Sequence, residues 1–244
     1  MPHSQPLTWI DDIAWACLAL ALASAAVIAW DIFGRGYRQK MPIMDAVWPI
    51  TALYWGPVAV YQYFKRGRVR SRPVLERIGG TDRAAEVEGG REPAIGGTGW
   101  WPLSKAASHC GAGCTLGDIV AEWIAFASGF TLASIALPAD MLLDFVLAWS
   151  FGIVFQYFTI APMRGVSGGK GIWLAIRADT LSIISFQLGL FAGMAIYNQL
   201  IWSPPLPHDS APYWMMMQLS MILGFFTAMP VNAWLIEKGW KEAM

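Results

Sequence analysis

The chain has 244 residues, 56% of them hydrophobic, with 17 basic and 17 acidic side chains and a mean hydropathy of +0.43. Its charged fraction of 14% is too small to cover a water-facing surface, for which a soluble domain uses about 25%. Hydrophobicity alone does not decide against a soluble domain, whereas segmentation does; nucleic-acid binding is the weaker reading of the basic residues, which need no partner beyond the bilayer.

Charge-free gaps predict the helices in chain order. Eighteen uncharged residues separate Asp12 from Asp31, 19 separate Asp45 from Lys65, 17 separate Glu122 from Asp140, and 19 separate Asp144 from Arg164. A further 29 separate Asp179 from Asp209, and 27 separate Asp209 from Glu237. A hydrocarbon core about 30 Å thick takes roughly 20 helical residues. The gaps therefore predict an all-α, polytopic transmembrane helical bundle. Its spans are placed near Ile10 to Phe33, Ile43 to Phe64, Leu116 to Leu137, Met141 to Ile160, Ile172 to Tyr197 and Tyr213 to Ile236.

The first stretch reads as a retained span rather than a cleavable signal, because Met1 to Asp12 has two acids and no Lys or Arg. Trp9, Trp15 and Trp30 suit the headgroup zone near its ends. The second stretch begins at Asp45 and is interrupted by Pro49 and Pro57. Six spans are expected, with five spans plus a re-entrant segment as the alternative. With six, Arg35, Arg38 and Lys40 fall outside; if the second stretch does not cross, all 17 basic residues lie inside. Both arrangements give a cytoplasmic C-terminus.

Nine basic residues lie between Lys65 and Lys105, among paired glycines and few apolar residues. The organisation expected is an N-terminal transmembrane hairpin at 1–64, a flexible charged cytoplasmic linker at 65–107, and a four-helix transmembrane core at 108–244. The run Lys65-Arg66-Gly67-Arg68-Val69-Arg70 would lie beside anionic headgroups. Further on, Gly189 and Gly193 form a small-residue pair that permits close helix contact, and the stretch Ser203-Pro204-Pro205 stiffens the loop before His208.

Reactive residues concentrate between Ser108 and Glu122. On a helix, Cys110, Cys114, Asp118 and Glu122 recur every four residues as one slowly rotating stripe, with His109 about 100 degrees away from Cys110. Alternatively, Gly111 and Gly113 break the first turn and fold His109 and Cys110 back toward Cys114. Thiolate and imidazole favour copper(I), zinc or iron, whereas carboxylates favour harder ions. The competing readings are a thiol redox pair and a structural turn whose cysteines pack. Acids within the spans form the second signal, because a carboxylate at a helix centre costs about 2.5 to 3.5 kcal/mol. Glu122, Asp144 and Asp179 are deep enough to imply a polar interior, the simplest version being an internal salt bridge of Arg177 with Asp179 or Glu122. The third signal is Tyr213-Trp214-Met215-Met216-Met217-Gln218, where Met217 and Met221 share a helix face beside Gln218. Thioethers can pass on copper(I), or they can fill gaps between helices.

Several of these stretches are familiar together. Ser108-His109-Cys110 through Asp118, Val47-Trp48-Pro49-Ile50-Thr51-Ala52-Leu53-Tyr54, Ala178-Asp179-Thr180-Leu181-Ser182 and Tyr213 to Gln218 resemble the prokaryotic membrane family labelled domain of unknown function 4396. The resemblance implies a shared fold and a prokaryotic cell-membrane location. It marks His109, Cys110, Cys114, Asp118, Asp179 and Gln218 as positions to test, and implies no particular activity.

The working expectation is a small transporter or handling protein for a soft transition metal. Copper is favoured, with zinc or iron as alternatives. His109, Cys110 and Cys114 would bind at the cytoplasmic mouth and Met217 and Met221 on the outer side, with Asp118, Glu122, Asp144 and Asp179 supplying countercharge or proton coupling. A membrane thiol or quinone redox enzyme and a structural assembly protein are the alternatives. The partners expected are the lipid bilayer and a metal ion, with self-association as a homo-oligomer left open.

Overall fold

The computed structural model describes residues 8–81, 84, 94–95, 98–128, 136–197, 201 and 206–242. In order, its elements are α1 (Thr8–Ala29, prolonged by a π-helical turn Trp30–Gly34), α2 (Met44–Trp55), α3 (Pro57–Gln62) and α4 (Arg72–Ile78). Two paired two-residue strands, β1 (Ala94–Ile95) and β2 (Thr98–Gly99), precede α5 (Trp100–Ser128), α6 (Ala136–Arg164), α7 (Gly168–Ile196) and α8 (Ala211–Glu237). The fold is all-α, and five of the described helices, α1 and α5 to α8, are long and apolar enough to cross a membrane. Their outward faces carry large exposed apolar side chains such as Leu20, Phe126, Phe158, Leu188 and Phe226, a surface suited to lipid.

α5 is the central helix and packs on α2, α6, α7 and α8. It starts at Trp100, sixteen residues before the expected Leu116, and stays helical through Gly111, Gly113 and Gly117. The glycines do not break it, because they serve close packing, Gly113 and Gly117 against α6 and Gly111 against Tyr54 and Phe186. A Cβ on Gly113 would meet Gly152 Cα at 2.6 Å, and one on Gly117 would meet Ala148 N at 2.3 Å. In a bilayer, close backbone approach supplies the helix association that apolar burial supplies in water.

The second apolar stretch is two helical pieces. α2 runs through Pro49, then the chain turns at Gly56, whose φ of 52° an L side chain rarely adopts, and α3 leaves in a new direction. Both ends of the stretch return to one place. Lys40 N–H donates to Arg70 O at 3.0 Å, Arg72 N–H donates to Arg38 O at 2.8 Å, and Tyr63 Oη donates to Asp31 Oδ2 at 2.9 Å. α2 and α3 therefore form a hairpin whose ends meet, and Arg38 and Lys40 lie beside Arg70 and Arg72. Trp48 wedges between its arms, 5.6 Å from Tyr63 and 6.0 Å from Trp101 of α5 between ring centroids.

The start of the expected flexible linker is folded. Lys65 to Ile78 forms a π turn, a 3-10 turn and α4, with Ser71 and Leu75 buried, because Asp31 and the Arg38–Lys40 backbone hold it. Residues 82–83, 85–93 and 96–97 of that stretch lie outside the described residues, as do 202–205 of the proline-rich loop.

The hairpin tip has a specific partner. Pro57 has no N–H for the carbonyl of Leu53 one turn earlier, and Gln218 Nε2 of α8 donates to that oxygen at 2.7 Å. Gln218→Leu is expected to leave the carbonyl orphaned and cost about 1–3 kcal/mol. Thermal unfolding of the purified variant would check this, and a melting temperature equal to wild type would remove Gln218 as the anchor.

Candidate functional site

The basic ends of α5 to α8 lie on the side of Arg35 and Lys40; His208 and Ser210 mark the far side. Gly111 is eleven residues into α5, about 17 Å from its basic-side end, and there the hairpin tip arrives. A Cβ on Gly111 would be 2.6 Å from Tyr54 Oη, so the absent side chain makes room for the tyrosine. Cys110, Cys114, Tyr54, Phe186, Met217 and Met221 belong to one buried cluster. Both thiols are free and wholly buried, and their four-residue spacing puts them on one face of the helix.

This placement corrects the expectation of a cytoplasmic mouth. The helix begins so far upstream that His109, Cys110 and Cys114 fall in its interior. His109 does not point with the thiols. Its Nε2 lies 2.7 Å from Thr159 Oγ1 and its ring stands edge-on to Phe155 of α6. Met217 and Met221 do not sit at an outer mouth either, because both are buried in the bundle, and Met221 Sδ accepts from Thr115 Oγ1 at 3.7 Å. Among the described residues no three of His, Cys, Asp and Glu converge as one ligand set.

The acids form a buried column on both sides of the thiols. Asp118, one turn beyond Cys114, accepts from Gln187 Nε2 of α7 at 2.7 Å, and its Oδ2 has no hydrogen-bond partner. Glu122, a turn further, pairs with His208 Nδ1 at 3.0 Å. The imidazole stacks on Tyr213 with centroids 4.7 Å apart, and Trp214 Nε1 donates to the His208 carbonyl at 2.8 Å. Asp144 is buried in the far-side part of α6. Toward the basic side, Asp179 of α7 binds Lys241 Nζ at 2.5 Å. Cys114 is one helical turn before Asp118 on α5, and Cys114, Asp118 and Asp179 are all wholly buried.

The expected salt bridges of Arg177 are thus replaced. Residues 177 and 179 are about 200 degrees apart around a helix and cannot share a face, and the Arg177 guanidinium lies over Trp240 at 4.3 Å. His208 and Lys241 are the site residues that sequence reasoning misses. The signal that points to them is the demand of Glu122 and Asp179 for polar partners inside a bilayer.

Five apolar helices, a hairpin that reaches the middle of α5 and a series of buried acids define a polytopic α-helical membrane protein with a polar interior. Residues 99–241 match the family described as Domain of unknown function (DUF4396), and the chain belongs to that family. The match runs from the start of α5 to Lys241, so it takes in every member of the column while α1 to α4 precede it. No curated protein and no solved structure matches the chain.

Proposed function

We propose that the protein carries a soft, singly charged transition-metal cation, copper(I) before others, across the membrane through a two-thiol site at Cys110 and Cys114. The observation that carries this reading is the meeting of two buried, free thiols at the tip of the α2–α3 hairpin, which we read as re-entrant. Irregular backbone at membrane depth is tolerated where it lines a cargo path or is buried in protein. Two sulfur ligands suit copper(I), which accepts few and soft ligands, better than zinc or iron, which call for four ligands or a cluster. The Met221 thioether, held against Thr115 beside Cys114, provides a further soft contact toward Met217 and the far side.

Binding replaces each S–H bond by a sulfur–metal bond and releases a proton, for which the neighbouring Asp118 and Asp179 carboxylates are acceptors. By the distribution of Lys and Arg, the basic side is the cytoplasmic one. The C-terminal tail then lies inside and the start of α1 outside.

The test is native mass spectrometry of the purified protein titrated with silver(I), a redox-inert stand-in for copper(I). One bound ion per chain is expected. Cys110→Ser with Cys114→Ser should weaken binding by more than the ~10- to 100-fold that loss of an outer-shell partner costs. Unchanged occupancy in the double variant overturns the site. Formation of an intramolecular disulfide under mild oxidation, without silver binding, would move the pair to thiol redox chemistry instead.

A further inference from the structure

Positive charge gathers at the base of the hairpin in two groups. In the first, Asp31 holds Arg35 and Arg68, and Asp45 accepts from Arg38 Nη1 at 3.1 Å and from the Gln39 N–H at 2.8 Å. In the second, Lys40, Arg70 and Lys105 come from three separate segments and line one cavity of about 360 Å³, near the lower end of the ~300–1,000 Å³ usual for small-molecule sites. The backbone bond from Lys40 N–H to Arg70 O brings the first two together. Lys105 comes from α5, five residues or about 7.5 Å from its start. No Asp or Glu is among the described residues of the wall.

Lys105 is the buried member of the second group. It is 6% exposed, and its Nζ lies 5.4 Å from the centre of the Trp101 ring, over which the Arg66 guanidinium also lies at 5.1 Å. Trp101 in turn stacks on Trp48, which forms part of the cavity wall. Burying an ammonium is costly, and an indole face offsets part of that cost. Cations collected around a low-dielectric recess focus their field into it. The rest of the wall is largely apolar, with Met44, Trp48 and Met163 in it. A lining that joins three cations to such side chains suits an amphiphilic anion better than a small hydrophilic one.

Pro162 and Met163, in the last turn of α6, belong both to this wall and to the exposed surface. Val154, Phe158 and Pro162 recur every four residues on one face of α6, and Val154 and Phe158 are 50% and 55% exposed. From Pro162 the row runs about 12 Å along the span, a track for an acyl chain whose headgroup occupies the cavity. Basic pockets between transmembrane helices on the cytoplasmic side hold anionic headgroups, and the distribution of Lys and Arg puts this cavity on that side. Thr159 in its wall meets His109 at 2.7 Å, while neither thiol lines it.

We propose that this cavity is a specific site for one anionic phospholipid. Its phosphate lies among Lys40, Arg70 and Lys105, and an acyl chain leaves past Pro162 along Phe158 and Val154. The bound lipid joins the base of the hairpin to α5 and α6. The site goes beyond the transport reading and does not depend on it, since no sulfur ligand takes part.

Native mass spectrometry of the full chain in detergent, titrated with dioleoyl phosphatidylglycerol, dioleoyl phosphatidylcholine or glycerol 3-phosphate, tests the site. One phosphatidylglycerol per chain is expected at concentrations where phosphatidylcholine does not bind, and excess glycerol 3-phosphate should not displace it. Lys40→Gln should weaken phosphatidylglycerol binding by about 5-fold, and Lys40→Gln with Lys105→Gln by about 30-fold, the effect of one and two cations beside an anionic headgroup. Arg77→Gln removes an exposed cation of α4 that is not in the cavity wall, and should leave the affinity unchanged. Equal binding of the two lipids overturns the proposal, and so does an equal loss in Arg77→Gln, which would mean general attraction to the basic surface. Displacement by glycerol 3-phosphate would make the occupant a free phosphate and overturn the lipid assignment. If the double variant does not fold, Lys40→Gln decides alone, because that side chain is exposed; unchanged affinity there overturns the site.

Discussion

Replacing Asp31 by alanine is expected to open the hairpin at its base and to destabilise the protein by about 3 kcal/mol, the lower end of the range for breaking a buried ion pair. The lower end applies because Arg35 and Arg68 keep 53% and 24% of their side-chain exposure and are partly screened by water. Asp31 itself is 1% exposed, and its carboxylate joins three groups, Tyr63 Oη at 2.9 Å, Arg68 Nε at 3.0 Å and Arg35 Nη1 at 3.1 Å. Without it the fully buried Tyr63 hydroxyl has no acceptor, and the Arg68 charge faces the cut end of α1. Asn at this position keeps an acceptor for Tyr63 and loses both ion pairs, so it should fall between alanine and wild type. Thermal unfolding gives the magnitude. The location comes from limited trypsin digestion, which should cut faster after Arg68 and Arg70 in the alanine variant. Digestion and melting equal to wild type would mean that the Lys40–Arg70 and Arg38–Arg72 backbone bonds alone close the hairpin.

The contrast between these contacts and the charge-free gaps explains what the sequence can disclose. The last two spans, expected at Ile172 to Tyr197 and Tyr213 to Ile236, are found within a few residues at Gly168–Ile196 and Ala211–Glu237, because lipid admits no other backbone arrangement at their surface. The start of α5 escapes the same reasoning, since Lys105 and the glycines that follow it read as linker although they lie inside the helix. Lys105, Asp118 and Glu122 lie inside that helix, the acids paired with Gln187 and His208 from elsewhere in the chain. The Cys110–Cys114–Asp118–Glu122 stripe is legible from its four-residue spacing, a purely local relation. Lys241 and His208 are not legible, since their partners lie 62 and 86 positions away. Whether Ile43 to Phe64 crosses is equally undetermined by composition, which fits both answers. Asp31, Tyr63 and the Lys40–Arg70 backbone bond bring its two ends together.

Gly117→Val is expected to have the largest effect of any single change outside the site, removing most folded protein. The added Cβ would lie 2.3 Å from Ala148 N and 2.4 Å from Ala148 Cα. Both are backbone atoms of a helix, which cannot yield as a side-chain tip can, so α6 must withdraw by about an ångström or more over this turn. Overpacking by one or two methyl groups costs about 1–3 kcal/mol where side chains absorb it; here the cost should reach or exceed that upper value, with Gly117→Ala already near it. Gly169 provides the control. It is in the first turn of α7, and the Cβ that alanine would add there has nothing within 4 Å, so Gly169→Ala should be neutral or stabilising by up to ~1 kcal/mol. Comparing yield and melting temperature of the three variants in one detergent separates contact from propensity, because alanine raises helix propensity at both positions. If Gly117→Ala melts with wild type, α5 and α6 are not in backbone contact. The same separation would reach the site, because His109 meets Thr159 across this interface at 2.7 Å. Any Gly117 variant that does fold should therefore shift silver affinity even though residue 117 touches neither sulfur nor carboxylate, whereas a Gly169 variant should not.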